Sequence, residues 1–415
     1  TLFRSGTPTW TQGKIGKSLN FNGSTDYLRN TRKVISGGLT FGVWIKTTST
    51  DSATVYDGNA AQNIIGDSTG GVALGFGVHG GKVRYQHYAG AWYNVLGATS
   101  VNNGLWHYIS VTHNSSTGAI IIYVDGKQDG SGTISYNGSS AYDVIARGYS
   151  ADHFTGQLDQ IRIYNYVRTP AQIAYDYNKG GPVGWWKFDE CQGNIAYDWS
   201  GVGNNGTIII GASGTQNSLG TCQIGTSAAW TNGTVGKLNS SLNFDGTDDY
   251  VTLNNQSNLQ MGTGAITVSH WIKLNSLTDY RVTFFGGGFG GATGYGIGFA
   301  DASTTLRYET MGSTGGRQVY TVNGGITLNN WYHVVAIFDG INNQMKIYVN
   351  GKEKHSVSIS DPGTVTNNNN FSIGSYNAGQ AYLFPGQIDD VRVYNYALTA
   401  EQIKILYNGG AVSFN

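Results

Sequence analysis

The stretch GQLDQIRIYNYVRTPAQIAYDYN, residues 156–178, occurs a second time as GQIDDVRVYNYALTAEQIKILYN at residues 386–408. Twelve of the 23 positions are identical. Each copy begins with alternating apolar and polar residues, which is typical of a strand with one buried face, and then changes to helical spacing. The stretch therefore predicts a β-strand followed by a short helix, formed twice in one chain.

The repeat extends upstream from this stretch. GLTFGVWIKTTS at 38–49 matches AITVSHWIKLNS at 265–276, and LWHYISVTHNSSTGAIIIYVDGK at 105–127 matches NWYHVVAIFDGINNQMKIYVNGK at 330–352. The offset stays between 220 and 230 residues. Because 415 residues suffice for two domains of ordinary size, we expect a first domain over residues 1–181 and a second over residues 182–415.

Short β-prone runs are separated by Asn-Gly and Asp-Gly pairs, as in YVDGKQ, YVNGKE and NFDGTDD. These pairs supply the positive φ angles that tight hairpins require. Apolar residues alternate along the runs, so that Ile120, Ile122 and Val124 share one face of their strand. About a dozen such strands in each copy predict an all-β fold of two packed antiparallel sheets, a sandwich of jelly-roll type.

A short helix is predicted at the end of each copy. Thr169 provides an N-cap, with Pro170 at the first helical position. Thr399 and Gln402 have the spacing of a capping box. The apolar residues that follow share one helical face, so we expect each helix to dock on its sandwich.

Composition argues against two classes of partner. Lys+Arg and Asp+Glu both number 25, so the net charge is zero, and 12% of the residues are charged. Without a basic excess, nucleic acid is not expected as a partner. No apolar run approaches the roughly 18 residues that cross a bilayer, so no membrane span is predicted.

The chain has two cysteines, Cys191 and Cys222. A metal site needs more ligands than this pair offers, and neither cysteine has a histidine nearby. A disulfide is therefore predicted, which implies an oxidising, extracellular compartment. The alternative is a pair of buried free thiols.

Several of these motifs together resemble a known family. WWKFDE, LNFDGTDDYV, WYHVVAIFDG, IYVNGK and GQIDDVRVYNYALTAEQI are similar to the laminin-G-like, concanavalin A-like jelly-roll domain of bacterial surface proteins. The resemblance covers essentially the whole chain, twice. It implies a role in carbohydrate binding, adhesion or assembly, although some relatives of the same fold are glycosidases.

Glutamate is too scarce for the glycosidase chemistry of those relatives. The β-glucanases of this fold use a cluster of acidic residues on one strand, and retaining hydrolysis needs two carboxyls about 5 Å apart. The four glutamates, none of them in the first copy, are Glu190, Glu309, Glu353 and Glu401. We therefore predict that the protein is not an enzyme.

Asp159 and Asp389 occupy the same position in the two copies of the repeat. The motif is similar to the final-strand segment of bacterial β-glucanases, in which the matching Asp helps to hold a structural calcium. The resemblance thus implies calcium as a cofactor, chiefly in the second copy, because Gln160 replaces Asp390 in the first. The alternative is an Asp that caps a neighbouring turn through its own hydrogen bonds.

Sugars bind to aromatic platforms and planar polar groups, and each copy has one stretch rich in both. The expected ligand-binding residues are Arg84, Tyr88, Trp92 and Tyr93 in the first copy, and Tyr295, Arg307 and Tyr320 in the second. Strand alternation places Tyr85 and Tyr308 in the core. A packed loop is the alternative for Trp92 and Tyr93.

The second copy begins with a segment that the first copy lacks. VGWWKFD, residues 183–189, has the pattern of an opening strand with Trp186 and Phe188 facing inward. At the other end of the chain, GGAVSFN at 409–415 parallels GGPVGWW at 180–186. We expect one of three explanations: a piece of a longer tandem array, strand exchange between subunits, or a tail packed on its own domain.

Together these features predict a non-catalytic extracellular or cell-surface protein that acts in adhesion or carbohydrate recognition. Its partner would be a glycan or a cell-surface polymer. The competing interpretation is a structural subunit of an extracellular filament, joined to other copies of itself by strand complementation.

Overall fold

A computed structural model of the chain describes residues 3–35, 37–50, 62–68, 74–88, 92–134, 140–148, 152–223, 228–287, 293–314, 317–379 and 381–409. The chain forms two compact units, Thr1–Gly180 and Gly181–Asn415. The fold is all-β, with two antiparallel β-sandwich domains that are each followed by a short helix. The predicted fold class is confirmed.

The described strands of the first domain are β1 (Phe3–Ser5), β2 (Thr9–Gln12), β3 (Lys17–Asn22), β4 (Tyr27–Ile35), β5 (Leu39–Lys46), β6 (Gln62–Gly66), β7 (Leu74–His79), β8 (Lys82–Tyr88), β9 (Trp92–Ser100), β10 (Trp106–His113), β11 (Ala119–Val124), β12 (Lys127–Thr133), β13 (Ser140–Ile145) and β14 (Thr155–Tyr164), and helix α1 (Pro170–Asn178) follows them. One sheet has the order β1-β4-β13-β6-β7-β8-β9, and the other β12-β11-β10-β5-β14-β3-β2.

The core of the first domain consists of inward-facing residues from both sheets. Phe41 of β5 and Phe76 of β7 belong to different sheets, and their ring centroids lie 6.1 Å apart. On β11, Ile120 and Ile122 are fully buried and Val124 nearly so, which confirms the face predicted from alternation.

The described strands of the second domain are β15 (Gly184–Trp186), β16 (Ile195–Ala196), β17 (Gly206–Ile209), β18 (Leu242–Asp245), β19 (Tyr250–Asn254), β20 (Ala265–Leu274), β21 (Arg281–Gly286), β22 (Gly294–Phe299), β23 (Thr305–Met311), β24 (Arg317–Asn323), β25 (Trp331–Asp339), β26 (Gln344–Val349), β27 (Lys352–Ser358), β28 (Phe371–Ile373) and β29 (Pro385–Tyr394), together with helix α2 (Ala229–Asn232), a 3-10 helix (Ser257–Leu259) and helix α3 (Ala400–Tyr407). The sheets are β15-β29-β20-β25-β26-β27, with β18 also paired to β29, and β16-β17-β19-β28-β21-β22-β23-β24.

The helices that end the two domains begin as predicted. Thr169 and Gln172 form a capping box at α1, and Thr399 and Gln402 form the same box at α3. Each threonine hydroxyl accepts a hydrogen bond from an amide that would otherwise lack a partner in the helix. None of the helices in the described part of the chain has the length and apolar character that crossing a bilayer requires.

Each of these helices docks through a tyrosine in its last turn. The ring of Tyr177 lies 5.4 Å from that of Trp44 on β5, and the ring of Tyr407 lies 5.7 Å from that of Trp271 on β20. The equivalent aromatic contact in both domains shows that the strand-to-helix unit is repeated in packing as well as in sequence.

The two domains differ where the second one begins. Trp186 and Phe188 of the opening segment are fully buried, as predicted. The residues around Trp10 form strand β2 in the first domain, whereas the matching residues around Trp230 form helix α2. The two domains therefore share their central sheets and differ in the segments that border the opening segment of the second domain.

Candidate functional site

The predicted sugar-binding residues of the first domain lie on β8 and β9, and one of them is buried. Tyr85 is fully buried on the core face of β8, as predicted, together with Val83. Arg84 and Gln86 lie on the opposite face and are only 2% and 4% exposed. Alternation predicts which residues share a face, but it does not show whether that face is covered. The expectation that Arg84 presents an exposed surface to a ligand is therefore corrected.

Tyr88, Trp92 and Tyr93 lie where β8 ends and β9 begins. Tyr88 pairs with Trp92 and His87 with Tyr93 in the strand register. Tyr88 is partly buried and Tyr93 is 37% exposed, while the side chain of Trp92 lies outside the described residues. The structure brings these three positions to one end of a strand pair, and sugar binding there stays a prediction.

In the second domain, Tyr295 is buried in the core. It is 1% exposed, its hydroxyl donates to the carbonyl of Leu259 at 2.6 Å, and its ring stacks on Phe284 at 6.0 Å. Tyr320 is partly buried and its ring lies 6.1 Å from that of Tyr308, which is buried as predicted. The expectation of an exposed Tyr295 is corrected, because β22 turns this residue toward the opposite sheet.

Arg307 lies on the outer face of β23. Its guanidinium pairs with the carboxylate of Glu309 at 2.9 Å and lies 5.2 Å from the ring centre of Tyr280. Tyr280 is 37% exposed and contacts Tyr382, which is 38% exposed, at a ring distance of 5.6 Å. Arg307 is thus next to accessible aromatic rings, although not the ones that the sequence indicated.

Asp159 and Asp389 both accept hydrogen bonds from the loop that precedes an adjacent strand, which is β3 in the first domain and β18 in the second. The Oδ2 atom of Asp159 accepts a hydrogen bond from the amide of Ile15 at 2.8 Å. The Oδ2 atom of Asp389 accepts hydrogen bonds from the amides of Lys237 and Leu238 at 2.8 and 2.7 Å. These contacts correspond to the turn-capping alternative.

A cation at Asp389 would have to use the second carboxylate oxygen. The Oδ1 atom is buried and has no hydrogen-bond partner in the described part of the chain. Burial raises the pKa of Asp389 to about 8, against the effect of the two amides, so a proton competes with any cation for this atom. Calcium binding at Asp389 or Asp159 remains a prediction.

A second group of carboxylates lies in the turn between β18 and β19. Asp245, Asp248 and Asp249 bring one oxygen each within 4.8 Å of one another. All three already accept hydrogen bonds from backbone amides, for example Asp245 from Thr215 at 2.6 Å and Asp248 from Ser213 at 2.8 Å. Burial raises the pKa of Asp249 to about 6. These hydrogen bonds are sufficient to fix the conformation of the turn, and no bound ion is needed for it.

A cavity with exposed aromatic rings lies beside the opening segment of the second domain. We call this cavity the Trp199 cleft, and its volume is about 590 Å³. Its described lining residues are Glu190, Gln192, Gly193, Asn194, Ile195, Tyr197 and Trp199. Trp199 is 56% exposed, Tyr197 49% and Ile195 40%. Gln192 and Asn194 are exposed too, so planar polar groups lie beside the rings.

Covalent and hydrogen-bonded contacts hold the wall of the Trp199 cleft. Cys191 and Cys222 form the predicted disulfide, and the amide of Cys222 donates to the carbonyl of Cys191 at 3.1 Å. The buried indole of Trp230 donates to the carbonyl of Gly193 at 3.0 Å. Glu190 and Gln192 flank the disulfide in sequence, so the cross-link restrains the polar residues of the cleft.

Asp198 organises the turn that presents Trp199. Its Oδ1 atom accepts hydrogen bonds from the amides of Trp185 and Ser200, both at 2.9 Å. Its Oδ2 atom accepts from the amides of Gly203 and Asn204 at 3.1 and 2.8 Å. Four amide donors on one carboxylate restrain the turn that carries Trp199.

Among the described lining residues, Glu190 is the charged one, and the ammonium of Lys187 lies against the ring of Trp199. Glu190 accepts a hydrogen bond from the amide of Tyr197 at 3.0 Å, and burial raises the pKa of its carboxyl. The ammonium of Lys187 lies 4.3 Å from the ring centre of Trp199 and 4.5 Å from that of Trp185. Lys187 thus supports one face of the indole, which is a favourable cation–π arrangement.

The Trp199 cleft was absent from the sequence prediction. The signal was present as YDWSG, residues 197–201, where two aromatic residues flank an Asp seven residues after Cys191. The prediction relied on stretches that occur in both copies, and the cleft belongs to the segment that only the second copy has.

The family follows from a sequence match that covers both domains. Residues 22–174 and 245–404, about three quarters of the chain, match the family described as the concanavalin A-like lectin/glucanases superfamily. The chain therefore belongs to this superfamily, as its laminin-G-like motifs predicted. The matched ranges include the central sheets of each domain.

Individual relatives match smaller parts of the chain. It is 31% identical over 91 residues to the Sushi, von Willebrand factor type A, EGF and pentraxin domain-containing protein 1 of Rattus norvegicus, and 30% identical over 91 residues to that of Mus musculus. Each match covers 19% of this chain, and the chain spans 3% of the length of these relatives.

Solved structures with a similar fold include a sugar-binding one. The chain is similar to domain 4 of AbnA, a GH43 extracellular arabinanase from Geobacillus stearothermophilus in complex with arabinotriose, at 25% identity over 55% of this chain and 98% of that one, with a TM-score of 0.38. It is also similar to the binding domain of Paraclostridial Mosquitocidal Protein 1, at 15% identity over 56% and 52%, with a TM-score of 0.41. Similarity at these TM-scores carries no argument about function.

Proposed function

We propose that this protein is a non-catalytic carbohydrate-binding protein and that the Trp199 cleft is its glycan site. The observation that carries the proposal is the exposure of Trp199 and Tyr197 in a cavity of about 590 Å³. Large rings are normally buried when they serve only the core, so two rings at about half exposure in one cavity form a binding surface.

The chemistry of the cleft suits a sugar. The flat apolar face of a pyranose packs on an indole or phenol ring, and its hydroxyls bind to planar polar groups. Trp199 and Tyr197 supply the rings, and Glu190, Gln192 and Asn194 supply acceptors and donors around them. The superfamily includes lectins, whose work is binding of this kind.

Hydrolysis of the bound glycan is not part of the proposal. Glycoside hydrolysis uses two carboxyls that flank the scissile bond. Among the described residues that line the cleft, Glu190 is the one with a carboxyl. The neighbouring Asp198 has both oxygens engaged by four backbone amides, which leaves it unsuited to proton transfer.

An extracellular or cell-surface location and a role in adhesion follow from the same proposal. Disulfides such as Cys191–Cys222 persist in oxidising compartments. A sugar-binding domain outside the cell would meet glycans or other cell-surface polymers as its partners. Attachment of protein-coated beads to glycan-coated surfaces, with competition by the free sugar, tests the adhesive role.

A glycan array followed by titration calorimetry tests the proposed site. We expect saturable binding of at least one glycan class by the full chain. Trp199→Ala should weaken that binding at least about tenfold, which corresponds to about 1.4 kcal/mol. Tyr197→Ala should weaken it in the same direction because it removes the second ring.

Trp10→Ala is a matched control, since Trp10 is also 56% exposed but lies in the first domain. It should leave glycan affinity unchanged. Equal losses for Trp10→Ala and Trp199→Ala, or no glycan bound by the full chain, would contradict the proposal.

A second candidate function is the structural subunit joined by strand complementation. It rests on one observation among the described residues: β14 of the first domain pairs with β3 only from Thr155 to Leu158, whereas its counterpart β29 pairs with β18 and β15 along the same edge. Residues 410–415, which belong to the predicted tail, lie outside the described residues, so the three explanations for the tail stay predictions.

A further inference from the structure

A row of polar and aromatic side chains crosses four adjacent strands of the first domain. In the strand register the row has the order Asn20 (β3), Gln157 (β14), Lys46 (β5) and Trp106 (β10). Residues paired in this way lie on the same face of a sheet. The next residues along three of these strands, Phe21, Leu158 and Ile45, are buried in the core. The row therefore lies on the outer face of the sheet.

The second domain has the same four residue types in the same register. They are Asn243 (β18), Gln387 (β29), Lys273 (β20) and Trp331 (β25). We call each set of four residues the Asn-Gln-Lys-Trp row. The surroundings of the two rows can therefore be compared position by position within one chain.

In the second domain, another side chain of the same domain binds to the row. The Nδ2 group of Asn243 donates to the Oε1 atom of Gln216 at 2.5 Å, and the Nε2 group of Gln216 donates to the carbonyl of Asn243 at 2.9 Å. Gln216 is fully buried, and Asn243 and Gln387 are 9% and 5% exposed. A planar carboxamide thus occupies the asparagine end of this row.

Gln216 belongs to a connection that is much shorter in the first domain. In the second domain, residues 210–228 connect β17 to α2. In the first domain, residues 6–8 connect β1 to β2, which occupy the equivalent places in sequence. Because the short connection and both of its strands are described, the difference lies inside the chain. The first domain has no room in this connection for a residue equivalent to Gln216.

The row of the first domain lines an open groove. This cavity, which we call the Lys46 groove, has a volume of about 400 Å³, and its described lining residues include Asn20, Lys46 and Gln157. All three side chains are partly buried. Within the described part of the chain these side chains form no hydrogen bond or ion pair, so their polar ends are available to a ligand.

The charge of the groove favours an anion. Among the described residues that line it, Lys46 is the charged one. The next charged groups on this face lie beside Trp44: the carboxylate of Asp159 accepts from the amide of Ile15 at 2.8 Å, and the ammonium of Lys14 lies 4.8 Å from the ring centre of Trp44. These two charges have opposite signs and offset each other, so the ammonium of Lys46 determines the local charge.

The turn beside the row is less acidic in the first domain than in the second. Asp245 and Asp248 of the second domain correspond to Asn22 and Thr25 of the first. The carboxylate that the first domain keeps, Asp26, is buried and accepts hydrogen bonds from the amides of Thr7 and Asn22. An anion at the row of the first domain therefore meets less repulsion than it would at the row of the second.

Gln216 also indicates the shape of the group that the row accepts. Its carboxamide is planar, and a carboxylate has the same planar outline with acceptor oxygens only. In the first domain, Asn20, Gln157 and Lys46 carry N–H donors for such a group. A volume of about 400 Å³ lies within the usual range of small-molecule sites, and it exceeds the volume of a carboxylate alone. Trp106, next to Lys46 in the row, has an indole on which a sugar ring can pack.

We propose that the Lys46 groove is a second glycan site, which binds an acidic sugar through its carboxylate. The carboxylate accepts hydrogen bonds from Lys46, Asn20 and Gln157, and the sugar ring packs toward Trp106. The site lies in the first domain and shares no residue with the Trp199 cleft, so the proposal is independent of glycan binding by that cleft.

Titration calorimetry of the full chain with trigalacturonic acid tests the proposal. We expect saturable binding at a single site, and the affinity should fall as the salt concentration rises, because Lys46 is partly exposed. The methyl-esterified trisaccharide has the same rings without the charges. It should bind at least about tenfold more weakly.

Variants of the two equivalent lysines locate the site. Lys46→Met removes the charge, keeps a long side chain and should weaken binding of trigalacturonic acid at least about tenfold. Lys273→Met is the matched control, because Lys273 belongs to the row that Gln216 already occupies, and it should leave the affinity unchanged. Trp199→Ala should leave it unchanged as well.

Hydrogen exchange of the unmodified chain locates the site without any variant. Residues 46–48 and 155–157 should gain protection when trigalacturonic acid is bound, and the equivalent residues 273–275 and 385–387 should not. This measurement decides the matter even if Lys46→Met fails to fold.

Four results would overturn the proposal. They are the absence of binding of trigalacturonic acid, equal affinity for the acid and its methyl ester, equal losses for Lys46→Met and Lys273→Met, and loss of binding in Trp199→Ala. Tighter binding of a sulfated neutral trisaccharide would also overturn it, since the groove would then suit a tetrahedral anion rather than a planar carboxylate. Failure of neutral glycans to bind the Trp199 cleft would contradict the function proposed for that cleft and leave the Lys46 groove unaffected.

Discussion

At the scale of single residues, both domains contain buried histidine side chains. The rings of His87, His113, His270 and His333 are at most 2% exposed. His113 contacts the hydroxyl of Tyr85 at 2.8 Å, and His270 contacts the hydroxyl of Thr283 at 2.9 Å. These partners are neutral, so nothing in these contacts offsets the cost of charging the rings inside the sandwich.

The buried histidines are therefore expected to destabilise both domains in acid, and in the second domain the raised pKa values of Asp389 and Asp249 act in the opposite direction. Burial lowers the pKa of His87 and His113 to about 4 and that of His270 and His333 to about 3, from an ordinary value of 6.5. Below pH 6.5 these histidines bind protons in the unfolded chain but not in the folded chain, so their contribution to the free energy of unfolding falls as the pH falls toward 4. Each histidine contributes at most about 1.4 kcal/mol per pH unit.

Denaturant unfolding between pH 7.5 and pH 4.5 measures this loss. His270→Gln should make the pH dependence of the second domain shallower and leave that of the first domain unchanged. An unchanged pH dependence of the second domain in His270→Gln would contradict the assignment.

At the scale of elements, matching sequences adopt different structures in the two domains. TWTQ at residues 9–12 is a strand paired to β3, and AWTN at residues 229–232 is a helix. Intrinsic propensity is a weak prior that tertiary context overrides. In the second domain the opening segment covers Trp230, and in the first domain no described residue takes the place of that segment.

The disulfide should both stabilise the second domain and restrain the Trp199 cleft. It links residues 31 apart in sequence, and a loop of that size corresponds to about 3–4 kcal/mol in the chain-entropy description. Replacing Cys191 and Cys222 by serine should lower the stability of the second domain by about this amount. It should also weaken glycan binding, because Glu190 and Gln192 flank Cys191.

Differential scanning calorimetry, which can resolve two transitions, measures the first effect, and the titration used for Trp199→Ala measures the second. The transition of the first domain serves as an internal control and should not move. An unchanged glycan affinity in the serine variant would show that the cleft does not depend on the cross-link.

At the scale of the whole molecule, two copies of one fold present different surfaces. Among the described residues, β14 of the first domain pairs with β3 over Thr155–Leu158 only, and the second domain has an open cleft beside its opening segment. Binding sites on such sandwiches lie at edges and in connections, where the two sequences differ most, while the repeated sheets keep the core.

Calcium would stabilise the second domain more than the first. We propose that it binds in the second domain, where Asp389 and Asp390 are adjacent, rather than in the first, where Gln160 follows Asp159. Calcium should then raise the midpoint of thermal unfolding of the second domain, and EDTA should lower it. Asp389→Asn should abolish the response. Identical midpoints in calcium and in EDTA would leave Asp389 with the turn-capping role alone.

The sequence by itself determined the all-β class, the repeat, the helix caps at Thr169 and Thr399, the disulfide and the inward face that includes Ile120. These follow from local periodicity, cap chemistry and residue type. Only the tertiary structure decided that Arg84 is covered, that Trp10 is exposed while Trp230 is buried, and that Trp199 borders a cleft. The reason is physical: burial depends on what lies across from a residue, and residues distant in sequence supply it.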